Sequence, residues 1–499
     1  MQRPRRKRYL DAGSLKTISL KVTIAMVDYD IIIAGAGTAG TTTAYTAAKR
    51  GHSVLLIDKK EKDEIGHKTC GDALGGHHLK ELEKLVALPR MPPDVIEHDV
   101  TSIDLVAPDR QHRMRMAGPT VMGYSFNRQK MGQWLVSLAE EAGAQVMPST
   151  RVKKLKLEGG KVSGLTIEKD GSDKYLTARI VVDATGASGL LRRQLPDTTL
   201  IEREIAKEDM MVAWRDIYET PEYDFEHPEN LEIFYDQQQT LGGYTWVFPQ
   251  GKNRVNVGVG FMTLEGHKVP QDVFNSFVRS SWDFMKTKLN VVDSGGGIAP
   301  VRRPMDTLVD HNFLIVGDAG CQVNPVHGGG IGSSMLGGVH AGVTASEALE
   351  KGDTSMKSLW PYNRRYLESY GIKQASLDIF RWFLVGVTND EVNFAFKKEI
   401  IKAEDLLAVS MTGKMKMSKP EKFKRLVSGL GKVPLLMQLV KVADLMEQVK
   451  RVYSEYPDSP TGLPNWRSRL VPIYADVRGL SMTRPEAGLP KQSRETGNR

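Results

Sequence analysis

The chain has 499 residues, 40% hydrophobic and 26% charged, with 47 glycines, two cysteines and a formal charge of +8. At roughly 150 residues per domain this length suits about three units, and the composition excludes a disordered chain, a coiled-coil rod and a collagen-like repeat. The two cysteines, Cys70 and Cys321, exclude a disulfide framework or a four-cysteine cluster held by this chain alone, and point to a reducing cytoplasmic setting.

In chain order, residues 1–27 read as a basic extension carrying Arg3, Arg5, Arg6, Lys7 and Arg8. Lys16 and Lys21 interrupt the apolar core that a secretory signal would need, and Met26 offers an alternative start just before the first strand. The basic excess comes with no base-reading motif, so nucleic acid is not an expected partner. No apolar run approaches the roughly 18 residues of a membrane span.

Residues 28–34, Asp-Tyr-Asp-Ile-Ile-Ile-Ala, predict a buried parallel strand. Gly35, Gly37 and Gly40 follow in a Gly-x-Gly-x-x-Gly turn, then a small-residue helix to Arg50, a second strand over 53–57, and Asp58. That order is the dinucleotide-binding unit: the glycines admit a tight turn, backbone approach to a pyrophosphate and close helix packing. The helix start offers free N–H groups to the phosphates, and Asp58 is placed to accept from ribose hydroxyls.

Short strands near 94–127, a helix over 128–142 and strands to 182 come next. A second strand end appears at Asp183-Ala184-Thr185-Gly186, and a third at Val316-Gly317-Asp318. Gly328-Gly329-Gly330-Ile331 then opens a long small-residue helix. Residues 28–200 and 285–354 therefore read as one discontinuous nucleotide domain, with 201–284 a strand-rich insertion. Residues 355–456 read as helical, and the Pro- and Arg-rich 457–499 as a poorly ordered tail.

These three strand ends, in this order, resemble the flavoproteins of the para-hydroxybenzoate hydroxylase fold, and within them the geranylgeranyl reductase family. The resemblance covers about residues 28–410. Lys68-Thr69-Cys70-Gly71 is similar to that family's Lys-x-Cys-Gly segment. Leu241 to Pro249 is similar to its Pro-x-x-Tyr-x-Trp-x-Phe-Pro box, with Leu241 replacing the first proline. The stretch 380–396 resembles its C-terminal region. The implied fold class is α/β: a Rossmann-like FAD-binding domain, an inserted antiparallel-sheet substrate domain and a C-terminal helical region.

The implied cofactor is FAD, held by Gly35, Gly37, Gly40, Asp58, Cys70, Gly71, Arg128, Ala184, Gly317, Asp318, Gly328, Gly329, Gly330 and Ile331. The helix start at Ile331 would aim N–H groups at the edge of the flavin that gains negative charge on reduction. The implied reaction saturates isolated C=C bonds of geranylgeranyl chains in archaeal-type ether lipid precursors. Tyr244, Trp246, Phe248 and Pro249 would line the substrate slot. An unactivated alkene must be held dry against the flavin and supplied with a proton. Cys70 is the residue nominated for that step, as donor or positioner, with Lys68 able to shift its pKa; an inert packed thiol is the alternative. Cys321 reads as packing. His327 reads as a flavin or water contact, or as structural, and His77-His78 suit no metal spacing.

No second dinucleotide unit is present, so electrons would come from ferredoxin, a transient NAD(P)H or free reduced flavin. Leu435, Leu436, Leu439, Val440, Ala443, Met446 and Val449 follow helical spacing below a basic run from Lys414 to Arg425. That pattern suits either peripheral contact with the inner face of the membrane or packing on the protein itself. Two other readings stay open: a flavin monooxygenase or halogenase, and an electron-transfer flavoprotein acting on quinone.

Overall fold

The computed structural model describes residues 27–118, 120–264, 268–413 and 432–482. Its first layer grows from the β-branched run at the start: Tyr29–Ala34 lies parallel between Val54–Ile57 and Ser172–Asp183. Gln145–Met147 extends the parallel sheet on one side and Phe313–Ile315 on the other. Ile31, Ile32 and Ile33 are fully buried, as a strand covered on both faces requires. The long strand Ser172–Asp183 also pairs antiparallel with Lys161–Lys169, which pairs with Arg151–Glu158.

Two helices cross this sheet in close contact. Thr38–Lys49 packs on Ile331–Glu350, where a Cβ at Gly338 would come within 2.2 Å of the Thr42 hydroxyl. The small residues of both helices exist for that approach.

The second layer is a seven-stranded sheet in the order Asn290–Pro300, Met210–Glu219, Arg254–Met262, Tyr244–Pro249, Asn230–Phe234, Ser102–Val106, Arg113–Ala117. All its pairings are antiparallel except that of Asn230–Phe234 with Ser102–Val106. Ser102–Val106 and Arg113–Ala117, from the stretch 94–127, are therefore part of this sheet. A three-stranded sheet of Ala73–Gly75, Gly123–Phe126 and Ile96–Val100 joins the two layers.

One expected boundary shifts. Residues 290–300 are the edge strand of the inserted sheet, so the nucleotide domain resumes after Pro300 and not at 285. The glycine-rich Asp293-Ser294-Gly295-Gly296-Gly297 hides this strand from pattern reading, because glycine carries no alternating side chains to count.

The C-terminal region is helical, led by Ile372–Gly386 and Val433–Ser454. The expectation of a poorly ordered tail from 457 fails over Leu463–Met482, a helix packed on both of them. Leu463, Trp466, Leu470, Ile473 and Val477 lie on one buried face, and the Trp466 indole donates to the Val452 carbonyl at 2.8 Å. Its Pro and Arg content suggested a tail, but the apolar spacing decides. Among the described residues no helix is long and apolar enough to cross a membrane. The basic run Lys414 to Arg425 lies outside the described residues, as do residues 1–26 and 483–499.

Candidate active site

A continuous cavity of about 1320 Å³ runs from the glycine turn of the first layer, past the inserted sheet, into the C-terminal helices. At its first end Gly35 stands at φ +111°, where a Cβ would lie 2.3 Å from the Ala184 carbonyl oxygen. Only glycine fits there, and Ala184 in turn is hung from Ala34 by a 3.0 Å backbone bond. Asp183 behind it is fully buried and accepts from the backbone N–H groups of Thr185, Leu191 and Arg192. Gly37, in contrast, faces open space, so that a ligand can reach the backbone. Asp58 accepts from the Ala36 N–H at 2.8 Å and the Lys60 N–H at 2.9 Å, which sets its carboxylate beside the turn.

Arg128 opens the helix Arg128–Glu141 behind the Asn127 cap and is only 8% exposed. Its Nη1 is buried with no partner among the described residues. A buried guanidinium with spare donors, set against a turn of free N–H groups, fits a pyrophosphate. Opposite, the Asp318 carboxylate lines the cavity and pairs with Lys68 at 2.7 Å.

The loop before Ile331 is shaped by Asn324. Its side chain accepts from the N–H groups of Val326 and His327 and donates to the Tyr370 hydroxyl, while its backbone brackets Gly328 and Gly329. His327 Nδ1 accepts from the Gly329 N–H at 3.1 Å. Burial and the charge of Lys373 bring His327 down to about 4, so it is a neutral acceptor.

The middle of the cavity is aromatic. Tyr244, Trp246 and Phe248 occupy alternate positions of Tyr244–Pro249, with ring centroids 6.0 and 6.2 Å apart along the strand. The Tyr244 hydroxyl donates to the His327 carbonyl at 2.5 Å, which ties this wall to the glycine loop. A Cβ on Gly71 would sit 3.1 Å from the Phe248 ring, so the Cys70 segment lies against the same wall. Beyond, Leu377, Phe380 and Phe383 of Ile372–Gly386 continue an apolar tunnel to Leu435 and Leu439.

Most residues expected at the site from sequence line this cavity: Gly35, Gly37, Asp58, Cys70, Gly71, Arg128, Ala184, Asp318, Gly328 to Ile331, Tyr244, Trp246 and Phe248. Gly40 and Gly317 do not. Gly40 packs on the Gly35 carbonyl, and Gly317 on Ala39. Pro249 is buried but lies outside the lining, because its odd position turns it to the other face of the strand. Cys321 is fully buried.

The Lys68 charge does act on Cys70 and favours the thiolate, but larger opposing causes outweigh it. Lys68 is engaged by Asp318, and burial, then the Asp72 charge, push the Cys70 thiol up to about 11. Cys70 is a protonated thiol, not a thiolate. Sequence reading missed Asp72, Arg215 and Asn256, which surround it; the available signal was a polar Asn256 inside the apolar run Val255-Asn256-Val257. The apolar stripe of Val433–Ser454 mainly turns inward: Leu435, Leu436, Leu439, Met446 and Val449 are buried, and Val440 is exposed.

A glycine-walled anion slot joined to a dry aromatic chamber defines an FAD-dependent oxidoreductase. Residues 30–199 match the family of FAD-dependent oxidoreductases, and residues 209–298 match the geranylgeranyl reductase catalytic domain. Over 442 residues the chain is 38% identical to the digeranylgeranylglycerophospholipid reductase of Sulfolobus acidocaldarius, spanning 88% of this chain and 96% of that protein. The chain belongs to this reductase family, and its cofactor is FAD.

Two solved structures share the fold. One is a geranylgeranyl bacteriochlorophyll reductase-like protein of Thermoplasma acidophilum, with TM-score 0.68 and 23% identity, covering 83% of this chain and 98% of that one. The other is the flavin-dependent brominase Bmp2, with TM-score 0.61 and 19% identity, covering 83% of this chain and 99% of that one.

Proposed function

We propose that the protein saturates C=C bonds in the geranylgeranyl chains of an ether-lipid precursor. The observation that carries this reading is one continuous cavity, in which an anion slot passes through an aromatic chamber into a tunnel lined by Phe380, Phe383, Leu435 and Leu439, the apolar surface an isoprenoid chain needs. A halogenase or hydroxylase of a small aromatic has no use for the tunnel between Phe380 and Leu439.

In this reading Gly35, Gly37, Asp58 and Arg128 hold the ADP half of FAD. Asp318 would accept from the ribityl hydroxyls, and the loop Gly328 to Ile331 would lie along the flavin. Reduced FAD supplies the hydride. Tyr244, Trp246 and Phe248 position the alkene and exclude water, so that the hydrocarbon gains by burial what its chain loses in freedom. The Cys70 thiol stands at the chamber wall, where it holds the proton for the second carbon.

The outer end of the tunnel supports a lipid-facing orientation. Val433, Met437 and Val440 expose 45%, 60% and 56% of their surface on the helix whose Leu435 and Leu439 line the tunnel, and Met411 exposes 45% nearby. These residues would rest on the membrane and let a lipid tail enter without crossing water. Ferredoxin or NAD(P)H would deliver the electrons.

The test is anaerobic. Dithionite-reduced protein mixed with a geranylgeranyl ether lipid should return the flavin to its oxidised spectrum and add two hydrogens per double bond by mass spectrometry. Flavin that stays reduced over unchanged lipid overturns the reading.

A further inference from the structure

Behind Cys70 lies a buried polar cluster that the reading above leaves unused. Asp72 is 1% exposed, at φ +55°, and its N–H donates to Cys70 Sγ at 3.3 Å. Asn256 orients the carboxyl. Its Oδ1 accepts from the Trp246 indole at 2.9 Å, and an indole N–H can only donate, so Asn256 Nδ2 must be the atom facing Asp72. Nδ2 donates to Asp72 Oδ2 at 2.9 Å and to the Cys70 carbonyl at 2.8 Å. Oδ1 is buried with no hydrogen-bond partner among the described residues and is therefore the oxygen free to carry a proton.

The charges facing Asp72 come from three elements. Arg215 of Met210–Glu219 is 2% exposed, but it is shared with Asp293 at 2.6 Å, which also meets His67 at 3.1 Å. Arg128 starts the helix Arg128–Glu141, and Cys70 lies on Asp72's own segment. Both arginines and hydrogen bonds from Asn256 and Cys70 favour the carboxylate, yet burial prevails and raises Asp72 to about 6. The thiol, near 11, lies two residues from the acid, near 6, and is tied to its backbone N–H, which gives a defined direction of proton flow: once the thiol gives up its proton, the neighbouring acid returns one downhill.

We propose that Cys70 and Asp72 form a proton-delivery pair for alkene saturation, Cys70 donating to the substrate and Asp72 recharging Cys70. This rests on the reductase reading above. The balance is closed: reduced FAD gives a hydride to one alkene carbon, and the π pair takes the Cys70 proton at the other. The S–H bond breaks and a C–H bond forms. The Asp72 O–H bond then breaks as S–H re-forms, and water reprotonates the carboxylate when product leaves. Asn256 is a positioning residue that couples this acid to the Trp246 wall.

The experiment uses the FAD-loaded protein with Asp72→Asn, which keeps shape and removes the titration. Two readouts apply. In anaerobic turnover, flavin reoxidation by geranylgeranyl lipid should slow by roughly 10²-fold, the lower range for losing a positioned acid, and the wild-type decline of the rate at alkaline pH should vanish. Independently of turnover, iodoacetamide alkylation of Cys70, resolved from the buried Cys321 by peptide mass spectrometry, should shift its midpoint to lower pH, because the Asp72 charge no longer opposes the thiolate.

An unchanged rate and pH profile in Asp72→Asn, while wild type saturates lipid, overturns the pair and leaves the function standing. Wild type that fails on the lipid overturns the function, and an unmoved alkylation midpoint then overturns the pair by itself. Should Asp72→Asn not fold, Cys70→Ala carries the test: it should retain FAD and lose the saturation rate, and wild-type turnover in it removes the pair.

Discussion

The two ends of the cavity are built on opposite rules. At the cofactor end side chains are withdrawn, and backbone comes forward: Gly35 and Gly37 expose the turn, and Asp58 and Asp318 supply oxygens at its rim. At the substrate end backbone is hidden behind rings and aliphatic chains, from Trp246 through Phe380 to Leu439. A rigid, charged ligand is recognised by fixed dipoles at fixed distances, whereas a flexible hydrocarbon needs only dry volume of the right width. The first end should therefore tolerate almost no change, and the second should trade one chain length for another.

Gly35→Ala should have the largest effect. The new Cβ meets the Ala184 carbonyl at 2.3 Å, and a left-handed φ adds strain of about 1–3 kcal/mol. The purified variant should lose its yellow colour and all turnover, read by absorbance and by anaerobic assay. Retained FAD would show that this end is looser than its geometry implies.

Leu439→Trp tests the other end. Filling the outer tunnel should cost about 1–3 kcal/mol of long-chain binding, roughly tenfold or more in kcat/KM for a C20 chain. FAD content and turnover of a shorter isoprenoid should stay near wild type. Equal loss for all chain lengths would break the contrast.

Met437→Asp with Val440→Asp should weaken flotation with anionic liposomes roughly tenfold, at about 0.7 kcal/mol of lost burial for each side chain. Turnover of detergent-dispersed substrate should not change.

Stability also depends on pH. Burial holds His77 near 4 and His78 near 2, so the unfolded chain binds more protons below the ordinary histidine value of 6.5, and stability falls as pH drops from there. Asp72 acts oppositely: raised from 3.8 to about 6, it makes the fold lose stability as pH rises through that window, by roughly 3 kcal/mol. Asp72→Asn should steepen the acid loss in urea melts between about pH 4 and pH 6, and an unchanged slope would contradict the buried acid.

Local patterns carried much of the cofactor end. The strand at 29–34, the glycine turn and Asp58 are contiguous, so their geometry is dictated by neighbours in sequence, and they could be read without the fold. Tyr244, Trp246 and Phe248 were legible for the same reason, since a strand puts alternate residues on one face. Pro249 belongs to the same strand but to the opposite parity, so it points to the other face. The glycine-rich strand 290–300 and the helix Leu463–Met482 are less legible, because their composition points away from the pairing and packing that form them.

The chain by itself determined a dinucleotide turn, a flavin-type order of strand ends and an aromatic strand, because each is written in residues a few positions apart. The tertiary structure alone decided that Asp72, Asn256 and Arg215, drawn from segments up to 186 positions apart, close around Cys70. It alone turned the stripe of Val433–Ser454 inward to finish the tunnel. Burial and long-range pairing set pKa values and cavity shape, and both arise only when distant segments exclude water together.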